Sequence, residues 1–169
     1  MIKLIDDQVG RILTALDVSG QRENTVVIFT SDHGEMLGDH GLIQKGCRFY
    51  EGLVRVPLIF SWPSHFVEGE RSDALVELLD KTPTILELAG LQPSQRMQGL
   101  SLLPMLRGEV PLDHHRDFVR CEYYDALDEP DGSFATMYRD ERYKLVVYHG
   151  HDLGAVSYTH LTLPTTYGV

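Results

Sequence analysis

The chain has 169 residues, of which 43% are hydrophobic and 24% charged, the proportions of one globular domain with room for a small appendage. Its net charge of −10 at pH 7 argues against nucleic acid as a partner, because no basic stripe is available to neutralise phosphates. No apolar run is long enough to cross a bilayer, and two cysteines outside any C-x-x-C spacing do not form a disulfide framework.

The first part of the chain is predicted to contain one helix followed by two short strands. Apolar residues at spacings of four, three and four predict an amphipathic helix that ends at Gly20; these residues are Ile5, Val9, Ile12 and Leu16. Residues 26–29 form an unbroken β-branched and aromatic run, which is typical of a strand covered on both faces of a sheet. Residues 56–62 form a second run of this kind, so the pattern indicates an α/β fold.

The later part of the chain is predicted to end in a small antiparallel unit. Thr82 can cap a helix that has Pro83 at its first position and Gly90 just after its end. Residues 117–123, 134–139 and 143–148 then read as three short strands separated by turn signals. We therefore assign residues 1–112 to an α/β domain and residues 113–153 to a small antiparallel subdomain.

The last stretch has a different composition. Between Leu153 and Val169 there is no Asp, Glu, Lys or Arg, and four threonines occur in "THLTLPTTYGV". The phrase "SYTHLTLPT" resembles translated sequencing-adapter read-through, with a final edge strand as the alternative. We expect residues 154–169 to be a non-native tail.

The loop "FTSDHGEMLGDHGLIQKG" follows the first predicted strand and contains a candidate half of a metal site. Asp32 and His33 lie at the carboxyl end of that strand, and Gly34 lets the chain change direction so that both side chains can converge on one point. A carboxylate oxygen suits Ca²⁺ or Mg²⁺, and the imidazole nitrogen also admits Mn²⁺ or Zn²⁺. The alternative is that Asp32 caps the following turn and His33 is an ordinary histidine.

Three further residues near this loop have two interpretations each. Lys45 suits a point-charge contact to one oxygen of a sulfate or phosphate, although most loop lysines face water. His40 either lines the same pocket or is solvated, and the glycines around it exclude a continuous helical zinc motif. Cys47 has Lys45 and Arg48 nearby, as in reactive thiolates, but no base stands beside it in the sequence, so we favour a packed thiol.

Taken in order, several stretches resemble the arylsulfatase-type branch of the alkaline phosphatase superfamily over nearly all of residues 2–153. These are "LIDDQVGRILTALDVSGQRENTVVIFTSDHGEMLGDHG", "KGCRFYEGLVRVPLIFSWP", "VELLDKTPTILELAG", "MQGLSLLPMLRG" and "RDERYKLVVY". The resemblance implies a partial alkaline-phosphatase-like sheet with flanking helices. It also implies that Asp32 and His33 are the second pair of ligands of one divalent metal, most often Ca²⁺, that Lys45 contacts the sulfate ester, and that His40 lies near the substrate mouth.

The departures from the family pattern concern the nucleophile and the other ligands. Sulfatases use a formylglycine made within a C/S-x-P-x-R motif, and neither Cys47 nor Cys121 stands in one. The family's first Asp-Asp ligand pair is also not found, because Asp6 and Asp7 belong to the first helix. The sequence is therefore expected to be a fragment of a longer protein and to be inactive by itself.

The parent protein is expected to hydrolyse a small-molecule or carbohydrate sulfate ester. Two alternatives remain: a phosphodiesterase or phosphonate hydrolase of the same superfamily, and a non-catalytic metal-binding fragment. The compartment is unknown, and a periplasmic or secreted parent is consistent with the family. Removal of neighbouring strands is expected to make the isolated fragment prone to aggregation.

Overall fold

The computed structural model describes residues 2–124 and 134–149, so the predicted non-native tail lies outside the described residues. Four α-helices and five strands occur in this part, with three short 3₁₀ helices between them. The helices are α1 (Ile2–Val18), α2 (Glu51–Val54), α3 (Lys81–Leu88) and α4 (Leu103–Leu106). The strands are β1 (Val27–Thr30), β2 (Leu58–Ser61), β3 (Val119–Tyr124), β4 (Phe134–Arg139) and β5 (Lys144–His149). In these residues no helix is both long and apolar enough to span a membrane.

The two longer helices end at glycines, as the sequence predicted. Gly20 and Gly90 have φ of +69° and +73°, a conformation that is costly for residues with a Cβ. The amide of the residue after each glycine closes a Schellman motif. The Gln21 amide donates to the Leu16 carbonyl at 3.0 Å, and the Leu91 amide donates to the Leu86 carbonyl at 2.8 Å. The start of α3 differs from the prediction, because the helix begins at Lys81, before Thr82.

The strands β1 and β2 pair antiparallel, with the register running from Val27 opposite Ser61 to Thr30 opposite Leu58. The expectation that the first strand is covered on both faces is wrong. Phe29 and Ile59 are cross-strand partners and are 37% and 55% exposed. Partners in an antiparallel pair project on the same side, and such a pair can leave one face in solvent.

The strands β3, β4 and β5 form a separate antiparallel sheet in sequence order, which confirms the predicted small C-terminal unit. One face of this sheet carries Ala135, Met137 and Val146, all buried. Phe49, from the segment before α2, packs into the same cluster. The core of the sheet is therefore completed by the segment that follows the candidate site loop.

A buried ionic cluster joins the start of α3 to the chain entering β3. Asp80 is fully buried and pairs with the guanidinium of Arg116, whose other nitrogen lies 3.1 Å from Glu77 Oε2. The amides of Glu77 and Leu100 donate to the Asp80 carboxylate at 2.8 and 2.7 Å. His115 Nε2 lies 3.3 Å from the same carboxylate. Such a carboxylate is stable as an ion only because these partners replace its water.

Candidate functional site

Asp32 and His33 follow β1 in a turn that is held by short-range hydrogen bonds. The Ser31 hydroxyl donates to the His33 carbonyl at 2.8 Å, and the His33 amide donates to Asp32 Oδ1 at 2.9 Å. This amide lowers the pKa of Asp32, a fully exposed carboxylate, and the neighbouring His33 ring acts in the same direction. Asp32 thus caps its turn through Oδ1 and keeps Oδ2 available for another partner.

The ring of His33 is oriented by the carbonyl of Gly34. Its Nδ1 lies 2.8 Å from that oxygen, which can only accept, so Nδ1 carries the proton. In the neutral ring Nε2 then has a free lone pair. This is the arrangement found in metal-binding histidines, whose second nitrogen donates to a carbonyl or carboxylate.

Lys45 completes a group of three side chains around His33 Nε2. Its Nζ lies 3.0 Å from Nε2, and Asp32 Oδ2 lies 3.4 Å from the same nitrogen. An ammonium has only donors, so Nε2 must accept, in agreement with the proton on Nδ1. The predicted residues Asp32, His33 and Lys45 are therefore brought together at one exposed point, although 12 positions separate His33 from Lys45.

The donor set fits part of a metal site. Asp32 Oδ2 and His33 Nε2 are close enough to contact one cation at ordinary ligand distances. Nε2 accepts from Lys45 in this structure, so a cation there would take the place of the ammonium at that lone pair. Within residues 2–124 and 134–149 no group of three or more metal-binding side chains occurs. The pair can hold a cation only together with other donors.

Gly34 places this turn against α2 by close approach. Its amide donates to the Leu53 carbonyl at 2.8 Å, and a Cβ at position 34 would lie only 1.8 Å from the Gly52 carbonyl oxygen. The sequence predicted a glycine that redirects the chain. The structure shows a different requirement, because Gly34 does not have positive φ and what it needs is the space of the missing Cβ.

His40 makes its contacts away from the group of three. Its ring stacks on Tyr50 with centroids 4.3 Å apart and an angle of 22°, and its Nε2 lies 4.0 Å from Asp39 Oδ2. Its backbone has φ of +50°, which is uncommon outside glycine. The side chain is half exposed, which leaves open the predicted place at the mouth of the site.

Cys47 behaves as a packed thiol. Burial raises its pKa, and the charge of Arg48 offsets this only in part. The side chain contacts the buried cluster around Phe49 on the C-terminal sheet. A raised pKa lowers the thiolate fraction, so the geometry favours the packed interpretation over a reactive nucleophile.

Sequence reasoning missed the residues that attach this segment to β5. Lys144 is buried, its Nζ donates to the Phe49 carbonyl at 2.7 Å, and it pairs with the Glu51 carboxylate. Arg139 also pairs with Glu51, at 3.1 Å. A signal was present in the sequence. Side chains alternate along a strand, so Lys144 lies on the same face as Val146, which is the inward face, and Leu145 lies on the other.

The comparisons with known proteins identify the family of the chain. The Sulfatase family model matches residues 1–91. N-acetylglucosamine-6-O-sulfatase of Bacteroides thetaiotaomicron is 34% identical over 151 residues, which cover 86% of this chain and 26% of that protein. The chain thus spans about a quarter of the length of the curated relatives that it matches.

Two solved structures have the same fold over most of the chain. A protein in complex with its substrate D-glucosamine-2-N,6-O-disulfate gives a TM-score of 0.81 at 29% identity, over 96% of this chain and 32% of that one. The phosphonate monoester hydrolase of Agrobacterium radiobacter gives 0.75 at 33% identity, over 89% and 32%. The fold is that of the alkaline phosphatase superfamily, and the chain belongs to the sulfatase family.

Proposed function

We propose that this chain is the part of a sulfuric ester hydrolase that holds a sulfate group between Lys45 and a divalent cation. The observation that supports the proposal is the convergence of three side chains at His33 Nε2, with Lys45 Nζ at 3.0 Å and Asp32 Oδ2 at 3.4 Å. A carboxylate, an imidazole lone pair and an ammonium in one place suit a cation and an anion bound side by side.

Each residue has a distinct task in this proposal. Asp32 and His33 would hold the cation, with Ca²⁺ favoured by the family and Mn²⁺ or Zn²⁺ compatible with the imidazole. When bound, the cation would neutralise charge on the sulfate oxygens. Lys45 would contact a further sulfate oxygen as a point charge. His40, fixed on Tyr50, is proposed to face the substrate without entering the chemistry.

The covalent step is assigned to residues that this sequence does not contain. A sulfatase nucleophile is a formylglycine in a C/S-x-P-x-R motif, and no such motif occurs among the 169 residues. Covalent catalysis through such a nucleophile carries much of the rate enhancement. The chain alone is therefore proposed to bind its cation and anion weakly and to lack turnover.

We propose a sulfated carbohydrate as the substrate class. Relatives that support this class include N-acetylglucosamine-6-O-sulfatase of Bacteroides thetaiotaomicron and a protein solved with a disulfated glucosamine. The exposed position of Asp32 and His33 is compatible with a polar, extended ester.

The second candidate is hydrolysis of a phosphonate or phosphate ester at the same site. It is favoured by the structural similarity to a phosphonate monoester hydrolase at 33% identity. Lys45 and a cation would contact phosphoryl oxygens as they contact sulfuryl oxygens, so the fold alone does not separate the two chemistries.

Calorimetry with inorganic ions tests the binding proposal. Inorganic sulfate should bind the chain only when Ca²⁺ or Mn²⁺ is present, and Lys45→Met and Asp32→Asn should each weaken it at least about tenfold, the loss of one charge-assisted contact. Lys81→Met and Asp113→Asn are the matched controls and should leave the affinity unchanged. Sulfate binding without the cation, or binding unaffected by Lys45→Met, would contradict the proposal.

The same titration separates the alternatives. Stronger binding of methylphosphonate than of sulfate would favour the second candidate. Because two protein donors bind a hard cation weakly, a micromolar Ca²⁺ affinity of the chain alone would instead support a non-catalytic metal-binding module. For turnover, an aryl sulfate with Ca²⁺ should react no faster with the wild-type chain than with Lys45→Ala.

A further inference from the structure

The segment that follows Lys45 is hydrogen-bonded to β5 at two backbone carbonyls. The Tyr148 hydroxyl donates to the Cys47 carbonyl at 3.2 Å, and Lys144 Nζ donates to the Phe49 carbonyl at 2.7 Å. Lys144 also pairs with the Glu51 carboxylate at the start of α2. Three positions between 47 and 51 are therefore fixed from one strand that is almost 100 residues away.

One of these contacts is buried and the other two are partly buried, where hydrogen bonds hold geometry more firmly than at the surface. The side chain of Lys144 is 10% exposed, and burial raises the pKa of Tyr148, which keeps its hydroxyl protonated as a donor. Between the two donors Phe49 inserts into the cluster of Met137 and Val146. A buried ammonium needs its partners, so Lys144 cannot leave the Phe49 carbonyl and Glu51 without cost.

The short helix α2, which begins at Glu51, also holds the turn that carries His33. On one side α2 receives the Gly34 amide at the Leu53 carbonyl, and on the other side Glu51 receives Lys144 and Arg139. Lys45 and His33 are thus both placed relative to α2, one through residues 47–51 and the other through Gly34. Their contact of 3.0 Å depends on both attachments.

We propose that Lys144 and Tyr148 are positioning residues of the candidate site, and that the inner face of the C-terminal sheet aims Lys45 at the point shared with Asp32 and His33. They do not touch substrate and act through the backbone of residues 47–51. This inference rests on the proposed function only in taking Lys45 as the lysine that contacts the anion.

Competitive lysine acylation of the full chain, read by mass spectrometry, tests this inference. The sequence contains four lysines, Lys3, Lys45, Lys81 and Lys144, so each site is measured separately. Lys3, with 85% of its side chain exposed, is the internal standard. A Lys45 amine that donates to His33 should be acylated slowly relative to Lys3. His33→Ala removes the acceptor, so it should raise the Lys45 to Lys3 acylation ratio a few-fold and give the value expected for a Lys45 without this hydrogen bond.

Lys144→Met should raise the same ratio to about the value of His33→Ala, and Lys144→Arg should restore it in part because a buried donor and charge return. Tyr148→Phe, which removes one hydroxyl without creating a cavity, should give a smaller rise. Leu145→Ala alters the outward face of the same strand and Arg142→Met removes a nearby exposed cation, so both should leave the ratio as in wild type. Circular dichroism of each variant verifies the fold.

An unchanged Lys45 ratio in folded Lys144→Met and Tyr148→Phe would overturn the inference. If Lys144→Met does not fold, Tyr148→Phe decides alone. A parallel rise at Lys81 would indicate general loosening and would also count against positioning. Sulfate calorimetry keeps the two proposals apart: absent sulfate binding by the wild-type chain refutes only the function, and an unmoved Lys45 with intact sulfate binding in the variants refutes only the positioning.

Discussion

At the residue scale, the most constrained ion is Asp80. Its burial opposes ionisation, but the adjacent His115 ring, the amides of Glu77 and Leu100 and the charge of Arg116 together lower its pKa. The carboxylate is fully buried, so bulk solvent does not reach it. This cluster links α3 to β3, so its failure should affect the whole described body.

Asp80→Ala should lower the free energy of unfolding by about 3–5 kcal/mol, because Arg116 would stay buried with Glu77 as its one remaining partner in the cluster and the amides of Glu77 and Leu100 would lose their acceptor. Urea denaturation followed by circular dichroism measures the change. Asp73→Ala is the matched control, since Asp73 is 82% exposed and lies 3.7 Å from Arg71, and its effect should stay within about 0.5 kcal/mol. A similar small effect of Asp80→Ala would show that the cluster contributes little.

The lowered pKa of Asp80 predicts the direction of the pH dependence. Ionised Asp80 stabilises the fold above the pKa of an unfolded aspartate, about 3.9, and this contribution is lost as the pH falls through the lower value in the fold. The difference in unfolding free energy between wild type and Asp80→Asn should therefore be largest above about pH 4 and shrink below it. Urea midpoints measured across this interval provide the check, and a constant difference would contradict the assignment.

At the element scale, the contact between the site turn and α2 allows no side chain at position 34. Gly34→Ala should separate the turn from α2, because its Cβ would overlap the Gly52 carbonyl oxygen at 1.8 Å. We expect a loss of about 1–3 kcal/mol in stability and a loss of cation-dependent sulfate binding.

Gly10→Ala is the matched control for this substitution. Position 10 lies within α1 and has nothing within 4 Å of a built Cβ. The exchange should therefore be neutral or stabilise the helix by up to about 1 kcal/mol. Equal effects of the two substitutions on sulfate calorimetry would indicate that the close approach at Gly34 is not required.

The sequence specified those elements whose signals are local. The three strands of the C-terminal sheet were placed within about two residues of Val119–Tyr124, Phe134–Arg139 and Lys144–His149, because alternation and turn residues mark them. Gly20 and Gly90 ended their helices as predicted, since a left-handed terminus needs no distant partner.

The features that sequence reasoning missed all depend on contacts across long separations. The antiparallel pairing of β1 with β2 is decided by contacts between distant parts of the chain. The burial of Lys144 likewise depends on Glu51, which lies 93 positions away. The proximity of Asp32, His33 and Lys45 was expected through resemblance to the sulfatases, and their metal and anion roles remain predictions. The contacts of Lys45 Nζ and Asp32 Oδ2 with His33 Nε2 depend on the folded path of the loop, which the sequence pattern does not predict.

At the scale of the whole molecule, two apolar surfaces face solvent in the described residues. Along α1, Ile5 and Ile12 are 56% and 63% exposed, and on the β1–β2 pair Phe29 and Ile59 are 37% and 55% exposed. Exposed patches of this kind are protein-contact surfaces or aggregation sites. The net charge of −10 opposes self-association at low salt.

We expect the chain to self-associate, and to do so more strongly as salt screens its charge. Sedimentation velocity at low and high NaCl measures this, and Ile5→Lys combined with Ile12→Lys should reduce the association. Replacing the already polar Thr14 with Lys adds a charge to α1 without removing apolar surface and should have a smaller effect. A monomer at both salt concentrations with a sharp two-state melt would contradict the expectation.

The attachment of residues 47–51 to β5 has a consequence for insertions, deletions and chimeric proteins of this family. Five residues separate Lys45 from Glu51, and one insertion or deletion among them would shift the Cys47 and Phe49 carbonyls out of register with Tyr148 and Lys144. The β4–β5 turn has exposed residues and its own local hydrogen bonds, but it lies directly between Arg139 and Lys144, so a loop grafted there has to keep these two residues paired. We therefore expect a change of chain length between Lys45 and Glu51 to disturb the site more than a substitution at an exposed position of the same segment.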